Sequence, residues 1–469
     1  MSVIENPHLT DESRGYGDKV AAVEPGGIEF IPLSERHGRP IQLLWTWASP
    51  NLEFATVFVG VLGVLVFGLS FWMATLAIII GTAGGALTQG ILSTWGPKQG
   101  LPQMVIGRSA FGFIGNLLPA GLMSVTAGIG WFAVNSVSGA LALNTLTHMS
   151  KGLALLIIVA VQIAVAFFGH NLVQIFERFA FPFLAIVFLI ASVYIFDKAH
   201  LGAHGGGGLP TTGAFLLEVG AAFGYAAGWN PYASDYTRYF KPDVNPRSVA
   251  LFAGLGIFLS CAFLEIVGAA SATAVTKATG SPTDIFTSLM PTPIRDLTLL
   301  AIALGAISAN VLNIYSGAMS FLAMGIKLPL ALRRAIVALL FGAIGLLVAW
   351  SGLHDSAQKY ENFLLVIAYW IGPWLGVVFA DRWLRRGTSV DAVLEDAEHQ
   401  GSEEHVGVIA MIVGMSISVW LFASQSYLHG LISSHHPALG DITFEVGFVL
   451  SAVLYVLLYK LSQTRSERL

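Results

Sequence analysis

Apolar stretches of about 20 residues recur along nearly the whole chain, and each is long enough to cross about 30 Å of hydrocarbon as a helix. Lipid offers the backbone no hydrogen-bond partners, so a spanning segment has to satisfy its own backbone groups. Charged residues make up only 11% of the 469 residues and apolar ones 55%, a balance that excludes an ordinary soluble enzyme. The sequence therefore predicts an all-α polytopic membrane protein.

Runs bounded by charged residues, proline or glycine give about twelve transmembrane helices. They are predicted near residues 43–68, 70–94, 111–146, 152–171, 176–196, 211–233, 247–276, 297–325, 332–351, 360–383, 404–424 and 440–460.

Lysine and arginine are unevenly distributed between the segments that connect these spans. If the N-terminus is cytoplasmic, 19 of the 24 basic residues lie on the cytoplasmic side and five on the external side. This is the direction that the positive-inside rule requires. We therefore expect a multi-pass protein of the cytoplasmic (inner) membrane with both termini in the cytoplasm.

Two predicted spans contain a proline beside polar residues, where a helix gives up backbone hydrogen bonds. Residues 47–51 read Trp-Ala-Ser-Pro-Asn and residues 228–232 read Gly-Trp-Asn-Pro-Tyr. The two prolines are 181 positions apart (231 minus 50), the distance between the first helices of two consecutive five-helix units. Interrupted spans at matching places indicate a transporter with inverted repeats and a substrate site near the middle of the membrane.

The predicted organisation follows from this duplication. It comprises a cytoplasmic N-terminal tail (1–40), a first five-helix repeat (41–200), an external Gly-rich loop (201–210), a second, inverted repeat (211–386), an acidic cytoplasmic loop (387–403), two further helices (404–462) and a cytoplasmic C-terminal tail (463–469).

The third span places Trp131 and Asn135 one helical turn apart on one face, next to Gly128 and Gly130. A flat indole can stack on a planar ligand, and a carboxamide can both donate to and accept from its edge. The two glycines lack side chains and are expected to leave room for that ligand. We predict that Trp131 and Asn135 bind a flat, hydrogen-bonding substrate.

The eighth span is the counterpart of the third, because the 181-residue offset carries Trp131 to a position beside Asn313. Asn310 and Asn313 lie at i and i+3 and share one face, which must meet protein, water or ligand. An asparagine inside a membrane can also join two helices by hydrogen bonds. We expect ligand contact from Asn313 and a supporting role for Asn310.

Three carboxylates fall inside predicted spans, namely Glu53, Glu218 and Glu265. A carboxyl in low dielectric binds its proton more tightly, so each could carry a coupling proton, or else hold helices together by a fixed hydrogen bond. Glu53, one turn beyond the first break, is the first candidate, either as proton carrier or as a direct acceptor for a ring N–H. Glu177 and Arg178, placed at a span end, are expected to pair or to contact lipid headgroups.

Several segments together resemble the nucleobase:cation symporter-1 family, which comprises cytosine, purine, uracil, thiamine and allantoin permeases, and more closely its cytosine/purine branch. The resemblance covers residues 25–460. It is carried by residues 27–29 (GIE), 95–104 (WGPKQGLPQM), the Trp131 and Asn135 pair, 228–239 (GWNPYASDYTRY) and 310–316 (NVLNIYS).

The resemblance implies a LeuT-like fold of two inverted five-helix repeats plus two C-terminal helices. It also implies a substrate ring stacked between Trp131 and Trp229, with polar contacts from Asn135, Asn313 and Ser49. Asp235 and Arg238 look like a structural or gating pair of this family.

One departure from the family pattern concerns the coupling ion. Sodium-using members typically present two adjacent hydroxyl residues in the eighth span, whereas this chain has Ser308 followed by Ala309. The resemblance therefore implies at most a weak sodium site near Ala48, Asn51 and Ser308. We expect protons to be favoured over sodium, with no cofactor and no catalytic metal.

The expected function is secondary active import of a nucleobase or related heterocycle by cation symport and alternating access. An alternative is symport of another small solute, such as a hydantoin, allantoin, a vitamin or an amino acid, on the same scaffold. A membrane enzyme is disfavoured because no nucleophile and base lie at helical spacing within the spans. The net charge of −4 argues against nucleic acid as a partner, which leaves the substrate, the ion and the lipid bilayer. The identity of the heterocycle and the oligomeric state stay open.

Overall fold

The computed structural model describes residues 27–168, 170–203, 209–275, 281–326, 333–353, 356–385, 405–425 and 427–466. These residues are mostly helical, with one antiparallel pair of two-residue strands, β1 (Ser424–Gln425) and β2 (Leu428–His429). The prediction of an all-α fold is confirmed. The acidic loop 387–403 lies outside the described residues, as do residues 1–26, 204–208 and 467–469 of the predicted tails and Gly-rich loop.

The described part of the first half of the chain contains ten α-helices. They are α1 (Gln42–Ala48), α2 (Phe54–Val61), α3 (Phe71–Ser93), α4 (Gly96–Gln99), α5 (Gln103–Ile106), α6 (Arg108–Gly115), α7 (Leu117–Val125), α8 (Phe132–Thr147), α9 (Lys151–Phe168) and α10 (His170–Lys198). Short 3₁₀ segments lie at Leu33–Glu35 and Ser49–Asn51, and π-helical turns at Leu62–Val66 and Thr126–Trp131.

The described part of the second half adds ten α-helices. They are α11 (Thr211–Ala227), α12 (Ala233–Thr237), α13 (Pro246–Ala274), α14 (Pro282–Thr287), α15 (Thr292–Ala323), α16 (Arg333–Gly352), α17 (Ser356–Leu384), α18 (Val406–Phe422), α19 (Leu431–His435) and α20 (Thr443–Ser466). Two further 3₁₀ segments lie at Asn230–Tyr232 and Pro437–Leu439.

Each of the twelve predicted spans coincides with a helix or a broken helix of the structure. Within the described ranges, seven helices are long and apolar enough to cross a membrane, and the bent pair of α1 and α2 would form an eighth. Shorter apolar helices correspond to α9, α16 and α18. The total of twelve spans and the inverted repeat stay predictions.

Both predicted helix breaks are present as 3₁₀ segments, each with a proline in its first turn. At the first break the chain bends by 63° between α1 and α2. Glu53 restarts the helix there, because its carboxylate accepts a hydrogen bond from the Ala55 N–H over 2.9 Å and caps α2. Both breaks therefore lie where proline beside asparagine predicted them.

The third predicted span is less regular than its apolar pattern suggests. It is divided into α7 and α8 by the π-helical turn Thr126–Trp131, which ends at the tryptophan assigned to the substrate. Such turns are rare and are often found at functional sites. Helix α15 packs along α7, this turn and α8, so its asparagines face protein rather than lipid.

Candidate functional site

The two helix breaks contact each other through side chains. The indole N–H of Trp229 donates to the amide oxygen of Asn51 over 2.8 Å, and the Asn51 amide nitrogen donates to the Trp47 carbonyl over 2.6 Å. Both groups are buried, so the pairing ties the start of the second break to the end of the first. The Asn51 side chain therefore joins the two breaks by hydrogen bonds.

Asn310 is the centre of a buried amide cluster between α8 and α15. Its oxygen accepts from the amide nitrogens of Asn135 and Asn313, each over 3.1 Å. Its own nitrogen donates to the Phe132 carbonyl over 2.8 Å and to the Ser136 hydroxyl over 3.1 Å. Because the amide oxygen and nitrogen of Asn310 are both engaged, this side chain is suited to orienting its neighbours. Its supporting role at the site stays a prediction.

Asn135 and Asn313 differ in whether the amide oxygen has a hydrogen-bond partner. The oxygen of Asn313 accepts from the Tyr232 hydroxyl over 2.6 Å. The oxygen of Asn135 is buried and has no hydrogen-bond partner among the described residues. A buried acceptor without a partner is uncommon, so Asn135 presents an open position for a donor such as a ring N–H.

The ring of Trp131 is enclosed by other aromatic rings. Tyr225 and Phe363 meet it edge to face with centroid distances of 5.3 Å and 5.1 Å, and Tyr360 lies at 6.3 Å. Trp131 and Trp229 expose only 6% and 7% of their surface, so neither indole faces lipid. A Cβ added to Gly228, the residue before Trp229, would lie 3.4 Å from the Trp131 indole nitrogen. The structure thus brings both tryptophans to one region.

The positions of the missing side chains at Gly128 and Gly130 are occupied by aromatic rings, although Gly130 also lines a neighbouring cavity. A Cβ on Gly128 would lie 2.5 Å from the ring of Phe341, and one on Gly130 would lie 2.3 Å from the ring of Phe363. Neighbouring phenylalanines fill the space above both glycines. The missing side chains therefore serve helix and ring packing around the π-helical turn.

A cavity of about 190 Å³ approaches Trp131 from the end of the helix bundle where α14 lies. Its walls include Phe54 of α2, Pro282 of α14 and the rings of Tyr360 and Phe363, which also contact Trp131. The cavity is mostly apolar, as is usual for a small-molecule site. The rings of Tyr360 and Phe363 thus contact both this opening and the indole.

The opposite end of the bundle is held together by Arg238. This fully buried guanidinium donates to the Gly27 carbonyl over 2.9 Å and to the Tyr315 hydroxyl over 3.4 Å. Nearby, Asp235 accepts from the Gln103 backbone N–H over 2.9 Å. Both residues bind other segments. Their role as a structural or gating pair stays a prediction.

The segment before α1 lies across this same end. Arg36 donates to the Ile31 carbonyl over 2.8 Å and to the Pro97 carbonyl over 2.6 Å. Burial lowers the pKa of Arg36 to about 10, which still leaves the guanidinium charged at neutral pH. The charged side chain therefore fixes residues 31–36 against the segment that follows α3.

The three carboxylates predicted inside spans are all buried. Glu53 has both oxygens engaged, one by the Ala55 N–H and the other by the Tyr225 hydroxyl at 3.1 Å. Glu265 accepts from the Thr82 hydroxyl over 2.7 Å. Neither oxygen of Glu218 has a partner among the described residues. Glu53 is thus bound as a helix cap, while its role in coupling stays a prediction.

The expectation that Glu177 pairs with Arg178 or contacts headgroups is wrong. Because α10 begins at His170, Glu177 lies inside the helix, is fully buried and accepts a hydrogen bond from the Ser308 hydroxyl over 2.5 Å. The Ser308 hydroxyl is also 3.1 Å from that of Ser49. Residues 170–178 read HNLVQIFER, and these polar side chains led to a predicted helix start that placed Glu177 at the membrane surface.

The residues predicted to hold sodium are therefore engaged with protein groups. Ser308 donates to Glu177, and Asn51 donates to the Trp47 carbonyl next to Ala48. Within the described ranges, no group of three or more His, Cys, Asp or Glu side chains is placed to hold a metal ion. Tyr232 and Tyr225, which orient Asn313 and Glu53, were also missed by the sequence, although Tyr232 directly follows the second break.

Comparisons with known proteins identify the family of this chain. Residues 30–447 match the family described as permease for cytosine/purines, uracil, thiamine, allantoin. A putative purine-cytosine permease of Bacillus subtilis is 27% identical over 93% of this chain and 96% of its own. A purine-cytosine permease of Emericella nidulans is 28% identical over 95% of this chain and 92% of its own.

A similar solved structure is that of Mhp1, a nucleobase-cation-symport-1 family transporter, in a closed conformation with bromovinylhydantoin bound. It superimposes with a TM-score of 0.72, covers 93% of this chain and 95% of its own, and is 19% identical. The inward-facing conformation of Mhp1 gives a TM-score of 0.70 at 20% identity, with 95% of each chain covered. The predicted LeuT-like fold is confirmed at the level of overall architecture.

The family match spans most of the chain, and the relatives named above are permeases rather than enzymes. This confirms the resemblance, and with it the expectation of a transporter. The chain belongs to the family of permeases for cytosine/purines, uracil, thiamine and allantoin.

Proposed function

We propose that this chain imports a nucleobase of the purine or cytosine type by cation symport. The observation that carries the proposal is the open oxygen of Asn135, which lies one turn from the Trp131 indole and is held in place through Asn310. An indole face and an amide oxygen together match a planar ring that presents an N–H at its edge. The named relatives transport this class of ring, which supports the choice of substrate.

In this proposal the ring is sandwiched between Trp131 and Trp229, with Asn135, Asn313 and Ser49 as polar contacts. In the present conformation the amides of Asn135 and Asn313 bind each other through Asn310, and Asn51 holds Trp229. A substrate that enters past Phe363 would insert between the tryptophans and use the open acceptor on Asn135. The cavity beside α14 supplies the route of entry.

The membrane placement belongs to the same proposal. The basic residues favour a cytoplasmic membrane protein with both termini inside, so the α14 end of the bundle would face outward. The cavity would then be an external vestibule, and the contacts of Arg238 with residues 27–29 would close the cytoplasmic side.

Uptake by proteoliposomes tests this function. Labelled cytosine, adenine, hypoxanthine, uracil, allantoin, a hydantoin and pyridoxine would be offered under imposed pH and sodium gradients. We expect saturable uptake of cytosine or a purine. Trp131→Ala should weaken apparent affinity by about 5- to 150-fold, since stacking on an aromatic ring contributes roughly 1–3 kcal/mol.

The matched control is Trp420→Ala, because Trp420 on α18 exposes 64% of its surface and should leave affinity unchanged. Asn135→Ala tests the polar contact in the same assay. Unchanged affinity in both site variants would overturn the assignment of the site. Preferential uptake of allantoin, a hydantoin or pyridoxine would contradict the proposed substrate class but would still support a transport function.

A further inference from the structure

We propose that a second nucleobase binds at the cytoplasmic end of this protein, in a polar cavity between the segment before α1, α1, α10 and α12, and thereby slows further import. The inference rests on the proposed function and its membrane placement, because it gives the cavity the same class of ligand. It adds a regulatory site that is separate from the substrate site.

The cavity has about the size of one base. Its volume is about 130 Å³. At roughly 10–15 Å³ for each water-sized group, it has room for about ten non-hydrogen atoms, which is the size of a one- or two-ring base. It lies at the end of the bundle where Arg238 and Arg36 bind other segments, whereas the larger cavity lies beside α14.

Two side-chain amides supply hydrogen-bond donors to this cavity, Gln42 of α1 and Gln174 of α10. The Gln42 oxygen accepts from the Arg39 backbone N–H over 2.7 Å, and the Gln174 oxygen accepts from the Thr46 hydroxyl over 3.0 Å. Both amides are thus oriented through their oxygens, and neither NH₂ group donates to another residue in the described part of the chain. The carbonyl oxygens and unprotonated ring nitrogens of a base are matching acceptors.

Aromatic side chains form another part of the lining. Tyr236, Phe240 and His170 provide faces on which a planar ring can stack. Among the described residues that line the cavity there is no lysine, arginine, aspartate or glutamate. A neutral base is therefore favoured over a nucleotide, because a phosphate would lose its water there without a lysine or arginine to pair with it.

The cavity is separate from the proposed substrate site but is connected to it by aromatic contacts. Tyr236 meets Trp47 edge to face with a centroid distance of 5.3 Å, and Trp47 meets Trp229 at 5.9 Å. None of Trp131, Asn135 and Trp229 lines the cavity. One base can therefore occupy each site at the same time.

A base in the cavity would contact the elements that close this end of the protein. The His37 backbone N–H donates to the Tyr239 carbonyl over 2.6 Å, and the His37 ring lies 3.2 Å from the Asn171 amide oxygen. The segment before α1 is thus joined to α10 and to the residues after α12. A base that contacts all of them binds this closed arrangement more tightly than an open one, so it shifts the population toward the closed arrangement. Accumulated product would then slow its own release.

Equilibrium binding to the purified full chain counts the sites. We expect labelled cytosine or adenine to bind at two sites in the parent, and the matching nucleoside monophosphate not to compete for either. Trp131→Ala should weaken one site. Gln42→Leu combined with Gln174→Leu should weaken the other by roughly 30-fold, because each lost hydrogen bond accounts for about fivefold.

The matched control is Gln463→Leu on α20, because Gln463 does not line the cavity. It should bind at both sites like the parent. If the double variant does not fold, Gln174→Leu alone should weaken the second site by about fivefold.

Three binding results would overturn the proposal: a single site in the parent that Trp131→Ala weakens, a second site that is unchanged in the folded glutamine variants, or competition by the monophosphate at the second site. Binding of neither base to the parent would instead contradict the proposed function, so the two failures are distinguishable.

Uptake by proteoliposomes tests the regulation. Vesicles preloaded with the unlabelled base should take up the labelled base about fivefold more slowly than empty vesicles, a coupling of ordinary size between two sites. The double glutamine variant should lose this difference, and Gln463→Leu should keep it. Equal rates in preloaded and empty parent vesicles would overturn the regulatory role of the cavity.

Discussion

Tyr232 donates its phenolic hydrogen to the amide oxygen of Asn313 over 2.6 Å, and this bond joins the second helix break to α15. Asn313 in turn donates to Asn310, so its amide is oriented from both ends. The side chain that the sequence assigns to the substrate is thus positioned by a residue of the break itself.

Removal of the Tyr232 hydroxyl should weaken substrate affinity without abolishing binding. Tyr232→Phe retains the ring and deletes one buried hydrogen bond, which contributes about 1 kcal/mol. We expect the apparent KM for the nucleobase to rise by roughly fivefold while the amount of folded protein stays the same. Initial uptake rates over a range of substrate concentrations measure this. Tyr427→Phe, at a tyrosine with 66% of its surface exposed, is the control. An unchanged KM in Tyr232→Phe would show that Asn313 needs no such support.

Asn310 and Asn135 should respond to substitution in opposite ways. Asn310→Ala removes four hydrogen bonds and leaves buried partners unsatisfied, so the thermal midpoint in detergent should fall clearly. Asn135→Ala removes one bond to Asn310 and should lower stability less but substrate affinity more. Thermal unfolding and substrate binding, measured on both variants, check the crossed pattern. Equal effects of the two substitutions on both quantities would contradict the division of roles.

The contact between Gly130 and Phe363 offers a test by compensation. Gly130→Ala would place a Cβ 2.3 Å from the Phe363 ring, so the ring must move against Trp131 and transport should fall several-fold. Phe363→Leu in the same chain should restore part of the loss, because the smaller side chain vacates that space. Gly202→Ala is the matched control, since nothing lies within 4 Å of its added Cβ. Additive losses in the double variant would mean that the two residues are not coupled.

Arg238 should keep the segment before α1 in place. The single cysteine, Cys261, is buried, so an introduced thiol can be labelled against a low background. Ile28→Cys should react several-fold faster with a maleimide when Arg238→Lys is also present, because lysine cannot reproduce the divergent contacts of a guanidinium. Phe30→Cys, at a side chain with 52% of its surface exposed, should react equally fast in both backgrounds. Equal rates at position 28 would show that other contacts hold the segment.

Much of this architecture was predictable because the membrane imposes simple rules. Proline beside asparagine at residues 50–51 and 230–231 marked both breaks, and the pairing of Trp131 with Asn135 marked a face that turned out to be buried. Both signals depend on local chemistry, namely lost backbone hydrogen bonds and polar groups that lipid excludes.

The errors concern matters that local chemistry leaves undecided. Hydropathy cannot fix where α10 begins, and a shift of six residues, from a predicted start at 176 to His170, moved Glu177 from the surface to the interior. Likewise, a glycine indicates a close approach but not which group approaches, so the rings of Phe341 and Phe363 could not be foreseen at residues 128 and 130. The role of Tyr232 depends on a partner 81 positions away in sequence.

The π-helical turn at Thr126–Trp131 has a mechanical consequence. Such a turn contains one surplus residue compared with an α-helical turn. Transfer of that residue to the next turn would advance the start of α8 by about 1.5 Å and swivel it by about 100° without unwinding the helix. Because Trp131 is the last residue of this turn, such a shift would reorient its indole while only one helical turn rearranges.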